Sequence, residues 1–351
     1  MSRSKRILVV TSGALFVRGG HLAIAAATAA ALRSAGYLAE VMVTPQNRFG
    51  RQLSAYWANW LTDVGETADG RPVDQVISLR FPSYAVRHSH HVCWLNHRMR
   101  EYYDLWERFV RGLGRKGRLK EGLRRRVFHS LDRWLLTRNV HRLIAQSKTI
   151  QARLQRFGRI PSELLYPPPP ERPYRTDEYG DYIFAVSRLT PLKRIGLLVE
   201  AAARMKDRRI GIKIAGEGEE SGALRERIKE LGLEGRIEML GAVSDAGLVD
   251  HYARCRAVYF APWNEDYGFV TLEAFRSGKA VITTTDSGGP AELVRHGENG
   301  LVGAETPDAV AAHLDALAAD RGLGERLGQA AARDAAIHTW DRAVEVLARP
   351  L

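Results

Sequence analysis

The sequence predicts an α/β protein of two halves, each built on a parallel sheet, with a ligand cleft between them. Three observations predict it. Strand-like and helix-like segments alternate through both halves, and four consecutive prolines at 167–170 interrupt the alternation once. The third is length: 351 residues with 45% hydrophobic content suffice for two separate cores.

The first half opens with "KRILVVTSG", a strand ending in glycine, then the Ala-rich helix "GGHLAIAAATAAALRSAGY", closed by Gly36, then the strand "AEVMVT". Strand, helix and strand at this length form a βαβ unit, which calls for parallel pairing. "QVISLRF", "HVCWLN" and "RLIAQS" continue the sheet. In "LLYPPPPERPYRTDEYGD" the proline run favours extended polyproline geometry and stops any helix, so the domain boundary is placed there, at 172/173. Afterwards "YIFAVSRL", "IGIKIAG", "IEML", "AVYFAP", "AVITT" and "GLVG" read as strands with helices between them. Sheets of this kind bind ligands at the carboxyl ends of their strands.

Bulk properties narrow the class. Cys93 and Cys255 lie far apart, which fits a reducing compartment better than a disulfide scaffold. The apolar run in "MSRSKRILVVTSG" is too short for a signal peptide, and no stretch is long enough to span a bilayer, so a cytoplasmic protein is expected. The net charge of +12 is concentrated: Arg108 to Arg142 holds twelve Lys/Arg and two acids, or +10. A local block of one sign implies a local surface with an anionic partner.

The stretch "APWNEDYGFVTLEAF" places Glu265 in a loop after a strand and Glu273 within the following helix. The backbone N–H groups of Tyr267, Gly268, Phe269 and Val270 project from that helix's N-terminus, where unpaired donors and the dipole favour an anion. Two carboxylates beside an anion cradle can accept the hydroxyl protons of sugar rings, which describes a nucleotide-sugar pocket. The plainer reading has Glu265 capping the helix and Glu273 facing water. "SRLTPLKR" adds Arg188 and Lys193 in a loop at another strand's carboxyl end, where they can neutralise a diphosphate. "GEGEESG" imitates a dinucleotide fingerprint, but its glycine spacing is wrong and its acids would face the pyrophosphate; Gly216 is read as part of a turn lining the nucleotide side.

In the order and spacing of these motifs the chain resembles the retaining glycosyltransferases of family 4, which have the GT-B fold of two Rossmann-like parallel-sheet domains facing a cleft. The resemblance runs through Gly19 and Gly20, "QSKTIQARLQRFG", "YPPPP", "SRLTPLKR", "IAGEGEE", "LGAVSD", "EDYGFVTLE" and "SGGPAELVRHGENGLV". It implies that Glu265 contacts the donor sugar, Glu273 the nucleotide ribose, and Arg188 and Lys193 the phosphates. Gly19 and Gly20 would approach the diphosphate from the other half. Val243 would offer backbone contact to the base; Asp245 would read the base or, with Ser244, start a helix. The active-site histidine is assigned to His97, ahead of the cluster from His88 to His91. "DSGGPAE" departs from the family by a Pro-Ala pair before Glu292, which is read as pocket rim.

The resemblance further implies a first domain of 1–172 that takes back a C-terminal tail helix, 338–351, and a nucleotide-sugar domain of 173–337. The reaction expected is transfer of a hexose-type sugar, such as mannose, from a UDP or GDP sugar to an envelope polysaccharide or glycolipid acceptor. It would proceed by front-face attack, the departing phosphate oxygen taking the acceptor proton. No cofactor is expected, and no metal, since the sequence has no Asp-x-Asp motif. A nucleotide-sugar epimerase on the same fold, or a non-enzymatic basic protein of membrane surfaces, are the alternatives.

The basic segment carries Leu119, Leu123, Val127, Leu131 and Leu135 at four-residue spacing, with Phe128 and Trp134 alongside. Either this face packs on its own domain and the arginines face water, or it is an amphipathic surface helix. In the second reading Arg118, Lys120, Arg124, Arg125, Arg126 and Trp134 touch the inner membrane face or a lipid-linked, anionic acceptor. Nucleic acid is not expected as a partner, because no aromatic platform or helix-turn-helix accompanies the charge.

Overall fold

The computed structural model describes residues 4–14, 16 and 20–350. The chain divides into two compact units, one running to Pro170 and resuming at Thr339, the other Glu171–His338.

In the first unit the elements follow as β1 (Arg6–Gly13), α1 (Gly20–Ser34), β2 (Leu38–Pro45), α2 (Gln52–Leu61), β3 (Gln75–Ser78) and β4 (His91–Leu95). Then come α3 (Trp106–Arg111), α4 (Arg115–Trp134), β5 (Arg142–Ala145), α5 (Lys148–Arg156) and β6 (Glu163–Leu164). The strands pair in parallel in the order β2-β1-β3-β4-β5-β6. The inner strands are buried on both faces and read as apolar runs, with Val9, Val10, Ile77, Trp94 and Ile144 sealed from solvent. Helix α1 stops where expected. Gly36 takes a φ of 88°, its N–H donates to the Arg33 carbonyl at 2.9 Å, and that of Tyr37 donates to the Leu32 carbonyl at 3.1 Å.

In the basic segment the structure rules out one of the two readings left open by the sequence, the one in which the leucine row packs on its own domain. The segment is broken at Gly112–Gly114 into α3 and α4, and α4 does not bury its leucine row. Leu119, Leu123 and Val127 are exposed, while Glu121, Phe128 and Asp132 face inward. Tyrosine hydroxyls cause this inversion. Tyr84 and Tyr103 donate to the Asp132 carboxylate at 2.6 and 2.7 Å, Tyr56 donates to it as well, and Tyr102 donates to Glu121 at 2.5 Å. Burial pushes the hydroxyls of Tyr56, Tyr84 and Tyr103 well above their ordinary range, so they remain donors. Four phenols aimed at two carboxylates outweigh the burial of three aliphatic side chains.

Two of the six residues expected on the membrane or acceptor side are likewise committed internally. Arg124 bonds Glu121, the Gly50 carbonyl and Gln52, and Arg125 donates to the Tyr102 carbonyl while its guanidinium covers the Trp106 ring. Arg118 and Lys120 are exposed, as is Arg126, although Arg118 also donates to the Leu113 carbonyl. Trp134 is half covered by Trp60 at 5.4 Å between ring centroids.

The second unit contains β7 (Tyr182–Val186), α6 (Ile195–Arg204), β8 (Gly211–Ala215), α7 (Ser221–Glu230), β9 (Ile237–Gly241), α8 (Asp245–Arg254) and β10 (Ala257–Tyr259). It continues with α9 (Phe269–Arg276), β11 (Val281–Thr284), α10 (Gly289–Leu293), β12 (Gly300–Gly303), α11 (Pro307–Ala319) and α12 (Arg321–Ala335). Its parallel sheet has the order β12-β11-β10-β7-β8-β9. The last helix, α13 (Trp340–Leu347), returns to the first unit. There Gln75 and Arg142 donate to the carbonyls of Leu347 and Val346 at 2.7 and 2.6 Å.

Replacing Asp132 by Ala would leave three buried hydroxyls without their acceptor, and we expect a loss of about 3 kcal/mol or more from the first unit. Urea unfolding followed by tyrosine and tryptophan fluorescence measures it; a change below about 1 kcal/mol would mean that water replaces the carboxylate.

Candidate functional site

In the second unit the chain lays down β7, β8 and β9 in one direction, then crosses back to place β10 on the other side of β7. The sheet therefore has its topological switch point between β7 and β10, the position at which open parallel sheets leave a crevice for ligands. The loop after β7 carries Arg188 and Lys193; the loop after β10 carries Glu265. Across the switch point Lys193 Nζ lies 2.6 Å from a carboxylate oxygen of Glu265, and the Trp263 N–H donates to the Leu192 carbonyl at 2.7 Å. Both charged side chains are partly accessible, and Arg188, in the same loop, is exposed.

These loops are fixed by a residue to which the sequence reading gave no role. Arg194 has a left-handed backbone (φ 51°), and its guanidinium makes five hydrogen bonds. They reach the Ala261 and Pro262 carbonyls at 2.8 and 2.9 Å, both Asp286 carboxylate oxygens at 2.8 Å, and the Thr284 hydroxyl at 2.6 Å. The loops after β7, β10 and β11 are thereby joined. In the sequence Arg194 is one more cation in a loop, and nothing there marks Asp286, ninety-two residues on, as its partner.

The glycine pair of "DSGGP" lies against the Glu265 loop. Gly288 has a φ of 72°, its segment pairs with Glu265, and a Cβ there would meet the Glu265 carbonyl oxygen at 2.4 Å. Gly268, with a φ of 81°, precedes α9, where a side chain would strike the Phe260 ring. Tyr267 is buried, whereas Phe269 and Val270 are half-buried in the first turn. On the β8 side the Gly216 N–H donates to the Gly241 carbonyl at 2.7 Å, and a side chain at Gly216 would overlap the Ser187 carbonyl.

Glu273 lies one turn into α9 and is buried. It accepts from Arg172 at 2.7 Å and from the Tyr252 hydroxyl at 2.9 Å. Burial raises its carboxyl above the ordinary 4.5, with Arg172 and the Tyr252 hydroxyl opposing that rise. Arg172 is the second residue the sequence did not single out. It also pairs with Asp245 at 3.0 Å and so ties two of the expected nucleotide-side acids to one guanidinium. Asp245 is the first residue of α8, whose N-cap is Ser244, accepting from the Gly247 N–H at 3.1 Å. Val243 is half-buried just before that cap.

Of the residues expected in the first unit, Gly19 lies outside the described residues, and Gly20 is the exposed first residue of α1. His97 follows β4 by two residues and is half-buried, its Nδ1–H donating to the Arg98 carbonyl at 2.7 Å.

Two Rossmann-like units on parallel six-stranded sheets, among the described residues, constitute a GT-B fold. HepE of Anabaena, solved with UDP-glucose, has a TM-score of 0.71 at 18% identity over 97% of this chain and 99% of its own. WaaG, a glycosyltransferase involved in lipopolysaccharide biosynthesis, has 0.68 at 16% over 97% and 100%. Residues 171–334, nearly all of the second unit, match the family model of glycosyl transferases group 1, which is consistent with the resemblance read from the sequence. A D-inositol 3-phosphate glycosyltransferase of Nocardia farcinica is 36% identical over 180 residues, 48% of this chain. The match spans 40% of the length of that relative.

Removing the guanidinium in Arg172→Ala leaves the buried Glu273 without its cation, and the second unit should lose roughly 3 kcal/mol. The loss should depend on pH. The folded carboxyl already holds its proton above 4.5, so the folded state binds more protons than the unfolded one over that window. Stability of the variant should be highest below that value and fall as pH rises through the folded one, more steeply than in the wild type. Thermal melts from pH 4 to pH 8 would show it; parallel curves for the two proteins would contradict it.

Proposed function

We propose that the chain is a retaining glycosyltransferase that moves a hexose from a nucleotide-diphosphate sugar to a cell-envelope polysaccharide or glycolipid acceptor. The observation that carries this reading is the Lys193–Glu265 pair bridging the loops at the β7/β10 switch point, with Arg188 exposed beside it and Glu273 buried one turn into the next helix. An incoming diphosphate competes with Glu265 for Lys193. Once it takes the lysine, the freed carboxylate can accept a hydroxyl of the sugar that the diphosphate carries. Arg188, Lys193 and the amides at the start of α9 then stand as fixed positive charge where the leaving nucleotide diphosphate gathers negative charge. No metal is required for that role. Glu273 takes the ribose hydroxyls, with Arg172 holding its carboxylate in place. Val243 and Gly216 line the nucleotide side, and His97 contacts the donor sugar.

Glu265 is assigned to orientation, not nucleophilic attack: once the diphosphate has taken Lys193, its carboxylate is engaged by a hydroxyl of the donor sugar. The acceptor would attack from the face the nucleotide leaves, and the departing phosphate oxygen would take its proton. UDP-glucose in HepE supports a uridine donor, and the role of WaaG in lipopolysaccharide biosynthesis supports an envelope acceptor.

Thermal melts with UDP, GDP, ADP and dTDP sugars select the donor. At about 100 times Kd the matching sugar should raise the melting temperature of the second unit by about 5 °C or more. Lys193→Ala and Glu265→Gln should each lower kcat by roughly 10²-fold while leaving the ligand-free melt near the wild-type value. The anomeric configuration of the product, read by proton NMR, decides between retention and inversion. If no nucleotide sugar shifts the melt and both variants turn over like the wild type, the reading fails.

A further inference from the structure

The first unit has a surface to which the proposed transfer assigns no residue. Seven of the fourteen large apolar side chains exposed among the described residues belong to just two helices, α2 and α4. On α4 they are Leu119, Leu123, Val127 and Trp134; on α2 they are Leu53, Trp57 and Leu61, again at four-residue spacing. Leu119 is 79% exposed, Leu123 64% and Trp57 63%, far beyond an incidental surface leucine. The two rows adjoin. Gln52 bonds Arg124 at 2.7 Å, Tyr56 stacks on Phe128 at 5.6 Å, and Trp60 meets Trp134 at 5.4 Å, so α2 lies along α4 with its 53, 57, 61 row beside the contact.

Charge is sorted on the same helix. The block from Arg108 to Arg142 has only two acids, Glu121 and Asp132, and both are the buried residues held by tyrosines. The outward side of α4 is therefore cationic throughout, with Lys116, Lys120, Arg126 and Arg133 exposed among the leucines. Between Trp106 of α3 and α4 an open hollow of about 750 Å³ is lined by Leu119 and Leu123 together with Lys116, Arg118 and Arg126.

We propose that this face of α2 and α4 docks on the surface of an anionic lipid bilayer. Aliphatic side chains and Trp57 would enter the acyl boundary while lysines and arginines meet phosphate headgroups. The competing occupants fit worse. A nucleic-acid backbone would use the cations and leave the leucines in water. A protein partner's apolar interface core excludes lysine, which here interleaves with the leucines. No described helix is long and apolar enough to cross a membrane, so contact would lie in the interface plane. The orientation is built in, because the inward acids prevent α4 from rolling its leucines into the core.

The test is co-sedimentation of the full chain with vesicles of phosphatidylcholine alone and of phosphatidylcholine with 30% phosphatidylglycerol, at low and high salt. Binding to the anionic vesicles should exceed binding to neutral ones at least tenfold and weaken with salt. Leu119→Ser/Leu123→Ser should lower it at least tenfold, and so should Lys120→Ser/Arg126→Ser. All four positions are exposed, and unchanged melting curves would show that the fold is intact. Brominated acyl chains should quench tryptophan emission in the wild type, and less so in Trp57→Phe. Equal binding to both vesicle types, or a leucine variant that binds like the wild type, overturns the proposal. So does tighter binding of duplex DNA than of anionic vesicles.

Discussion

The second unit depends on one guanidinium. The guanidinium of Arg194 makes five hydrogen bonds, three of them from Nη2, to two backbone carbonyls, one hydroxyl and both oxygens of one carboxylate, and so fastens the loops after β7, β10 and β11 into a single piece. Loops alone would carry Lys193 and Glu265 through a range of separations. Fastened to this guanidinium, they stay at hydrogen-bond distance over the switch point of the sheet. The left-handed backbone of Arg194 is part of the same arrangement, since it turns the chain from the Lys193 loop into α6.

The same device recurs, once around a second cation and once around an anion. Arg172 brings Asp245 and Glu273 to one cation, and in the first unit Asp132 gathers three tyrosine hydroxyls. In each case a charged group wholly or partly withdrawn from water is held by several hydrogen bonds, and the geometry of its partners fixes an element that hydrophobic contact would leave free to rotate. For α4 the result is a helix turned against its own apolar pattern.

Much of this was legible. The parallel alternation, the proline break and the helix stop at Gly36 follow from periodicity and from residues with restricted backbones, which act locally. The Glu265 to Glu273 segment could be read because a strand, a glycine turn and a helix N-terminus follow one another directly. Arg172 and Arg194 could not be read, because their meaning lies in partners 101 and 92 residues away. The facing of α4 stayed open in the sequence for a related reason. Four-residue spacing says that Leu119, Leu123 and Val127 share a side, but not which side the rest of the unit wants.

Local patterns in the chain were enough to tell which segments are strands and helices and which residue types stand near the carboxyl ends of strands. These depend on interactions within a few residues. Tertiary structure decided which charges meet and which helix face is buried. Burial, unlike periodicity, is set by what the other elements offer, and here they offered tyrosine hydroxyls to Asp132 and Glu121 and left the leucines to the solvent.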